Sequence, residues 1–211
     1  VLDLGCGIGR CASMVEEAAS CVAIDLSDVA IERAARIHRH QPNLEFRRMD
    51  AMNLEFRDGE FDAALGLEIV EHVHDPERML REVFRVLRPG GRFVVNIANR
   101  DSLHLRIARS IGLPEFKATR EHFFELAYSE FREMLQRVGF RFERAKGVFL
   151  MPYLGLPEVD HHVRKIYDDR KQSPCCIGWG NWRGRSTASN TWSRSANPER
   201  QTISVSLGVR R

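Results

Sequence analysis

The sequence predicts an α/β fold built on an open, mostly parallel sheet, and three observations carry that reading. Short apolar runs alternate with amphipathic stretches over the first three-quarters of the chain. The first run, VLDL, breaks into glycines at positions 5, 7 and 9. The second, CVAID, ends on an acidic residue, Asp25, about twenty residues past Gly5.

Taken in order, VLDL at 1–4 reads as a buried strand, and GCGIGR at 5–10 as a turn with Arg10 opening a helix. CVAID at 21–25 is the second strand. SDVAIERAARIHRH, from 27 to 40, sets Val29, Ile31, Ala34, Ala35 and Ile37 near one helical face, with Ser27 as the N-cap. LEFRRM at 44–49 and DAALGL at 62–67 are strands three and four. DPERMLREVFRVLRPGG spaces Met79, Leu80, Val83, Phe84, Val86 and Leu87 for a helix, with Pro76 in its first turn. Pro89-Gly90-Gly91 stops that helix and turns the chain into RFVVNIA at 92–98, the fifth strand.

From 99 to 128 the rhythm loosens, as in insertions that shape a pocket above the carboxyl ends of parallel strands. SEFREMLQRVGF then reads as a helix ended by Gly139, followed by strand-like RFERAKGVFL. Between 173 and 201 all three tryptophans fall among serines and arginines with no periodicity, which predicts an irregular, disordered tail. TISVSLGV at 202–209 alternates as a last strand. The domain is therefore expected over 1–171, with a core at 1–98, an insertion at 99–128, a closing helix and strand at 129–150, and a tail from 172 to 211.

Composition narrows the function classes. The chain has 211 residues, 43% of them hydrophobic and 29% charged, enough for one sizeable core. A formal charge of +3 gives no electrostatic case for a nucleic-acid partner. No apolar run approaches the roughly 18 residues of a membrane span. Five cysteines (6, 11, 21, 175 and 176) form no C-x-x-C pair, so a reducing, cytoplasmic setting is expected. Val1 stands inside a strand with no methionine before it, which reads as a chain that lacks its N-terminal segment.

Alternating glycines after a strand let a ligand approach the backbone and tolerate positive φ. A carboxylate at Asp25 can accept from both hydroxyls of a ribose, and one at Asp50 from an adenine amine. Each has a plainer alternative: a tight turn without ligand, a residue that begins the next helix, a loop aspartate. The G-x-G-x-G spacing puts Arg10 where a dinucleotide fingerprint has its last glycine.

Together VLDLGCGIG, AIDLS, the run from MDAMNL to RPGGRF, and SEFREMLQRVGF resemble a class I S-adenosylmethionine-dependent methyltransferase. Within that class the chain is most similar to the methyltransferase type 11 and ubiquinone-type O-methyltransferase group, over about residues 1–150. The resemblance implies a Rossmann-like, doubly wound, mostly parallel seven-stranded sheet of order 3-2-1-4-5-7-6, with strand 7 antiparallel. The helix normally found before the first strand is missing here. S-adenosyl-L-methionine is the implied cofactor. Asp3 and Gly5-Cys6-Gly7 would contact its methionine end, Asp25 its ribose and Leu26 its adenine. Asp50 and Ala51 would hold the adenine edge, and Leu67 and Glu68 would line the methyl side.

The implied reaction is methyl transfer to a small-molecule or lipid-like acceptor, with oxygen favoured over nitrogen or carbon. A hydroxyl acceptor needs a base, for which His72 in EIVEHVHD and His122 in TREHFFEL are the candidates. Glu68 and His72 share a face if a helix starts early. Glu71 and His72 read first as complements to a helix start, and no metal site is assigned. A non-catalytic cofactor-binding domain and a nicotinamide-dependent oxidoreductase stay open as alternatives.

Overall fold

The computed structural model describes residues 1–15, 18–112, 122–148 and 202–209. Seven strands form one sheet: β1 (Leu2–Leu4), β2 (Cys21–Asp25), β3 (Leu44–Arg48), β4 (Phe61–Gly66), β5 (Leu87–Ala98), β6 (Phe140–Val148) and β7 (Thr202–Val209). Their order is β3-β2-β1-β4-β5-β7-β6, as the resemblance implies. The pairs from β3 to β5 are parallel, and β7 runs antiparallel to both β5 and β6. Among the described residues four α-helices accompany them: α1 (Asp28–Ile37), α2 (Pro76–Val86), α3 (Leu103–Ser110) and α4 (Tyr128–Val138).

Strand alternation divides the core in two. Leu2, Leu4 and Ile24 join the large cluster with Met79, Leu80 and Val83 of α2 and Phe131 and Leu135 of α4. Cys21 and Ala23 face the other way, into a small cluster with Cys6 and Ala12, against which Ile31 of α1 packs. Phe140 locks the far end, edge-on to Phe84 at 5.1 Å and tilted against Phe93 at 5.6 Å.

Three local expectations change. Arg10 does not open an α-helix; between β1 and β2 the described residues form a 3-10 turn, Ala12–Met14. On α1 the packed stripe is narrower than the sequence predicts. Ala34 is buried and Ile31 half-buried, while Val29, at 74% exposed, and Ile37 face outward. Positions 31, 34 and 38 recur at helical spacing, which leaves 29 and 37 off the face. Pro89-Gly90-Gly91 is not a turn ahead of β5 but a bulge within it. Phe61 pairs with Leu87 and Ala63 with Arg92, so residues 88–91 loop out of the ladder. Ser27 does cap α1, its Oγ accepting from the Ala30 N–H at 3.2 Å.

The tail expectation over 173–201, Cys175 and Cys176, and residues 113–121 of the insertion lie outside the described residues. No helix among the described residues is long and apolar enough to cross a membrane.

Candidate active site

The carboxyl ends of β1, β2, β3 and β4 bring most of the singled-out residues to one edge of the sheet. The strand order reverses direction beside β1, where α/β sheets open a crevice. Asp25 ends β2, and each carboxylate oxygen accepts a backbone N–H: Gly7 to Oδ2 at 2.8 Å, Ser27 to Oδ1 at 2.9 Å. The glycine turn is further tied down by Cys6 N–H, which donates to Ile24 O at 2.9 Å.

Two of the glycines do different work. Gly9 has φ +81, and a Cβ there would lie 2.8 Å from the Phe46 ring and 2.9 Å from His38. His38 Nε2 in turn lies 3.1 Å from Ile8 O, so Gly9 is a packing position beneath a stacked His38–Phe46 pair. Gly7 also has positive φ, +53, but a Cβ there would meet nothing within 4 Å. Open space lies over Gly7 alone among the three.

Asp3, in the middle of β1, points to the small-cluster face, away from Leu2 and Leu4. Its carboxylate takes the Ala12 N–H, but Oδ2 is buried with no hydrogen-bond partner. Burial, and to a lesser extent the charge of Asp25, pushes its carboxyl up to about 7. Burial likewise pushes the Cys6 thiol up to about 12, and its side chain lies inward, leaving the backbone to face the turn.

Asp50 follows β3 in a tight turn, Oδ1 accepting from Met52 N–H at 2.8 Å. The segment behind it is held by the polar face of α2. Arg78 Nε donates to Met52 O at 3.0 Å, Leu54 N–H to Glu82 Oε2 at 2.9 Å, and Arg85 to both Leu54 O and Phe56 O at 2.8 Å. Ala51 is buried, whereas Leu26, beside Asp25, is 64% exposed.

Beyond β4 the chain does not start a helix early, so Glu68 and His72 do not share a helical face. Glu68 has φ +53, the one non-glycine in the left-handed region among the described residues. It is fixed by Asn96 of β5, whose Oδ1 accepts the Glu68 N–H and whose Nδ2 donates to Glu68 Oε1. A backbone held off its usual basin by a buried amide is a feature of functional sites. Asn96 escaped sequence reasoning, although a polar residue inside RFVVNIA was the available signal.

His72 lies in a 3-10 turn, Val70–His72, and its ring meets that of His122 edge-on with centroids 4.9 Å apart. The structure thus brings together the two base candidates, fifty residues apart in sequence. Two carboxylates lie near them: Glu71, which the sequence already sets beside His72, and Glu125, which it did not single out. Glu71 is 2% exposed, with burial holding its carboxyl above the ordinary range. Glu125 Oε1 lies 3.4 Å from His122 Nδ1. Outside them Phe123 is half exposed and tilted against His74, ring centroids 3.9 Å apart. Among the described residues no group of three His, Cys, Asp or Glu is placed to hold a metal ion.

Residues 2–95 match the family described as "Methyltransferase domain". A "Probable S-adenosylmethionine-dependent methyltransferase" of Mycolicibacterium smegmatis is 31% identical over 161 residues, 76% of this chain and 58% of that protein. A ubiquinone biosynthesis O-methyltransferase of Pseudomonas aeruginosa is 33% identical over 105 residues, 48% of this chain and 45% of its own length. The chain thus spans less than two thirds of either relative. Among solved structures, an S-adenosylmethionine-dependent methyltransferase from Mesorhizobium loti superposes with a TM-score of 0.61 at 18% identity. That superposition covers 98% of this chain and 89% of the other.

Proposed function

We propose that residues 2–95, which match the methyltransferase domain family, form a class I, S-adenosylmethionine-dependent methyltransferase domain, and that the protein methylates the hydroxyl of a small-molecule acceptor. The observation that carries the proposal is the buried Asp3 Oδ2, without a partner in the strand that leads into a glycine turn open over Gly7. A buried carboxylate oxygen is costly unless something donates to it, and the cofactor's amino and hydroxyl groups are donors of the required kind.

The residues present fit that cofactor. Asp3 and the backbone of Gly5, Cys6 and Gly7 would hold its methionine end. Asp25 would take the ribose with lone pairs left after its two backbone bonds. Leu26 offers exposed apolar surface to the adenine, and Asp50 and Ala51 its polar edge. Leu67 and Glu68 would line the methyl side. Bound there, S-adenosylmethionine supplies a methyl group on a positively charged sulfur, already reactive toward a nucleophile.

The protein's own share is then positioning and proton removal. Well-aligned positioning contributes about 7–11 kcal/mol to such reactions. An acceptor hydroxyl becomes a better nucleophile as its proton leaves, and His122 is the group we assign to receive it, with His72 packed beside it. Oxygen is favoured as the atom methylated because a hydroxyl gains most as a nucleophile when a base beside it takes its proton, and the His72–His122 pair offers such a base. A panel of phenols, catechols and amines incubated with the cofactor tests the assignment. Adenosylhomocysteine should accumulate with a hydroxylated acceptor; accumulation with amines alone would overturn the choice of oxygen.

A further inference from the structure

We infer that Glu125 is the positioning residue of the acceptor site: it takes the Nδ1 proton of His122 and so presents Nε2 as the basic nitrogen. The inference rests on the reading of His122 as proton acceptor and adds the group that makes that reading work.

Both side chains are removed from water, with His122 5% and Glu125 8% exposed, and the Nδ1 to Oε1 separation is 3.4 Å. Catalytic pairs often stand this far apart before substrate arrives. A neutral imidazole carries one N–H, on either nitrogen. With a buried carboxylate facing Nδ1, the proton belongs there, because the other tautomer would set two lone-pair-bearing atoms against each other in a low-dielectric setting. Nε2 is then left with its lone pair.

The segment that carries the pair is fastened at both ends. Phe123 N–H donates to Glu71 O at 2.9 Å, which ties it to the chain after β4. Arg100 N–H donates to Leu126 O at 3.1 Å, and Asn99 pairs with Leu126 in an isolated bridge, which ties it to the chain after β5. Anchors on both flanks hold the ring and carboxylate in register without help from the acceptor. Among the described residues, Glu125 of its own segment faces Nδ1 of His122, and His72 of the segment after β4 meets the ring edge-on. Glu71 is the buried carboxyl held toward its neutral form, partly by the charge of Glu125. Glu125 is therefore the carboxylate that matters to the imidazole.

Imidazole nitrogen NMR of the 15N-labelled full chain tests this without any acceptor, with the His122 signals identified by their loss in His122→Gln. In its neutral form wild-type His122 should carry its proton on Nδ1, and that tautomer should lose population in Glu125→Gln, whose side chain no longer bears the charge that favours it. A proton on Nε2 in the wild type, or a tautomer balance unmoved by Glu125→Gln, would overturn the inference. If Glu125→Gln fails to fold, the wild-type tautomer decides alone. Turnover of a phenol by His122→Gln is the separate measurement for the underlying reading. Undiminished turnover sinks the proton-acceptor role, whatever the tautomer proves to be.

Discussion

The backbone N–H of Gly7 donates to Oδ2 of Asp25 across 2.8 Å, so the glycine turn after β1 and the end of β2 move as one piece. Oδ1 of the same carboxylate receives Ser27 N–H, which ties in the cap of α1 as well. A residue read from sequence as a ribose ligand thus also builds the cradle it serves. Asp25→Ala should lower stability by about 2 kcal/mol in urea denaturation, since two backbone donors lose a charged acceptor. Affinity for adenosylhomocysteine should fall at least about tenfold, or 1.4 kcal/mol. A variant as stable as the wild type would contradict the structural half of this role.

Gly7 and Gly9 should respond differently to the same substitution. Gly9→Ala drives a Cβ into Phe46 and His38 at positive φ and should cost about 2 kcal/mol or more. Gly7→Ala meets only open space and should cost about 1 kcal/mol of backbone strain. Its loss should appear in cofactor binding, because the new methyl group occupies the space over the turn. Denaturation midpoints paired with calorimetry separate the two effects; equal stability losses would contradict the division.

Asp3 gives stability a pH dependence whose sign is fixed by its raised pKa. The folded carboxyl titrates at about 7, against about 3.9 for an unfolded aspartate. Between those values the folded protein holds a proton that the unfolded chain does not, so this group's contribution falls as pH rises from about 4 to about 7. Asp3→Asn removes the dependence. Its stability relative to wild type should therefore improve as pH is raised through 7, measured by urea denaturation at pH 5, 6, 7 and 8. A constant difference across that series would contradict a buried Asp3 whose Oδ2 has no partner.

Arg85 should govern the loop behind Asp50. Its guanidinium reaches Leu54 O, Phe56 O, Asp58 and Glu82, which staples residues 54–58 onto α2. Arg85→Met keeps the aliphatic stem but removes the donors, and should cost about 2 kcal/mol. Amide hydrogen exchange over 52–58 should accelerate more than in β1 or β4. Uniform acceleration across the molecule would mean the loop has no independent clamp.

What the sequence made legible, and what it hid, follows from the range of the interactions. Strand runs such as CVAID, the Ser27 cap and the G-x-G-x-G turn are local patterns, and the structure repeats them. The split of labour between Gly7 and Gly9 was hidden because it depends on Phe46 and His38, which other elements bring to the turn. The bulge at 88–91 was hidden for a related reason. Pro-Gly-Gly does stop α2, but pairing of Leu87 with Phe61 starts β5 before the glycines rather than after them. At the acceptor side both histidines were visible as residue types, whereas their contact was not, since 50 residues separate them. Glu125 sits three residues from His122 yet gained meaning only once both proved buried. Asn96 went unread because its partner, Glu68, follows the neighbouring strand β4, 28 residues away in sequence, and is turned into an unusual backbone conformation.

The central claim, that this sheet edge is built for S-adenosylmethionine, is tested most directly by titration calorimetry of the full chain. S-adenosylmethionine and NAD should each be titrated into wild type and Asp25→Ala. Saturable binding of S-adenosylmethionine alone, weakened by the substitution, is the expected result. No heat with S-adenosylmethionine, or binding that Asp25→Ala leaves unchanged, would contradict it.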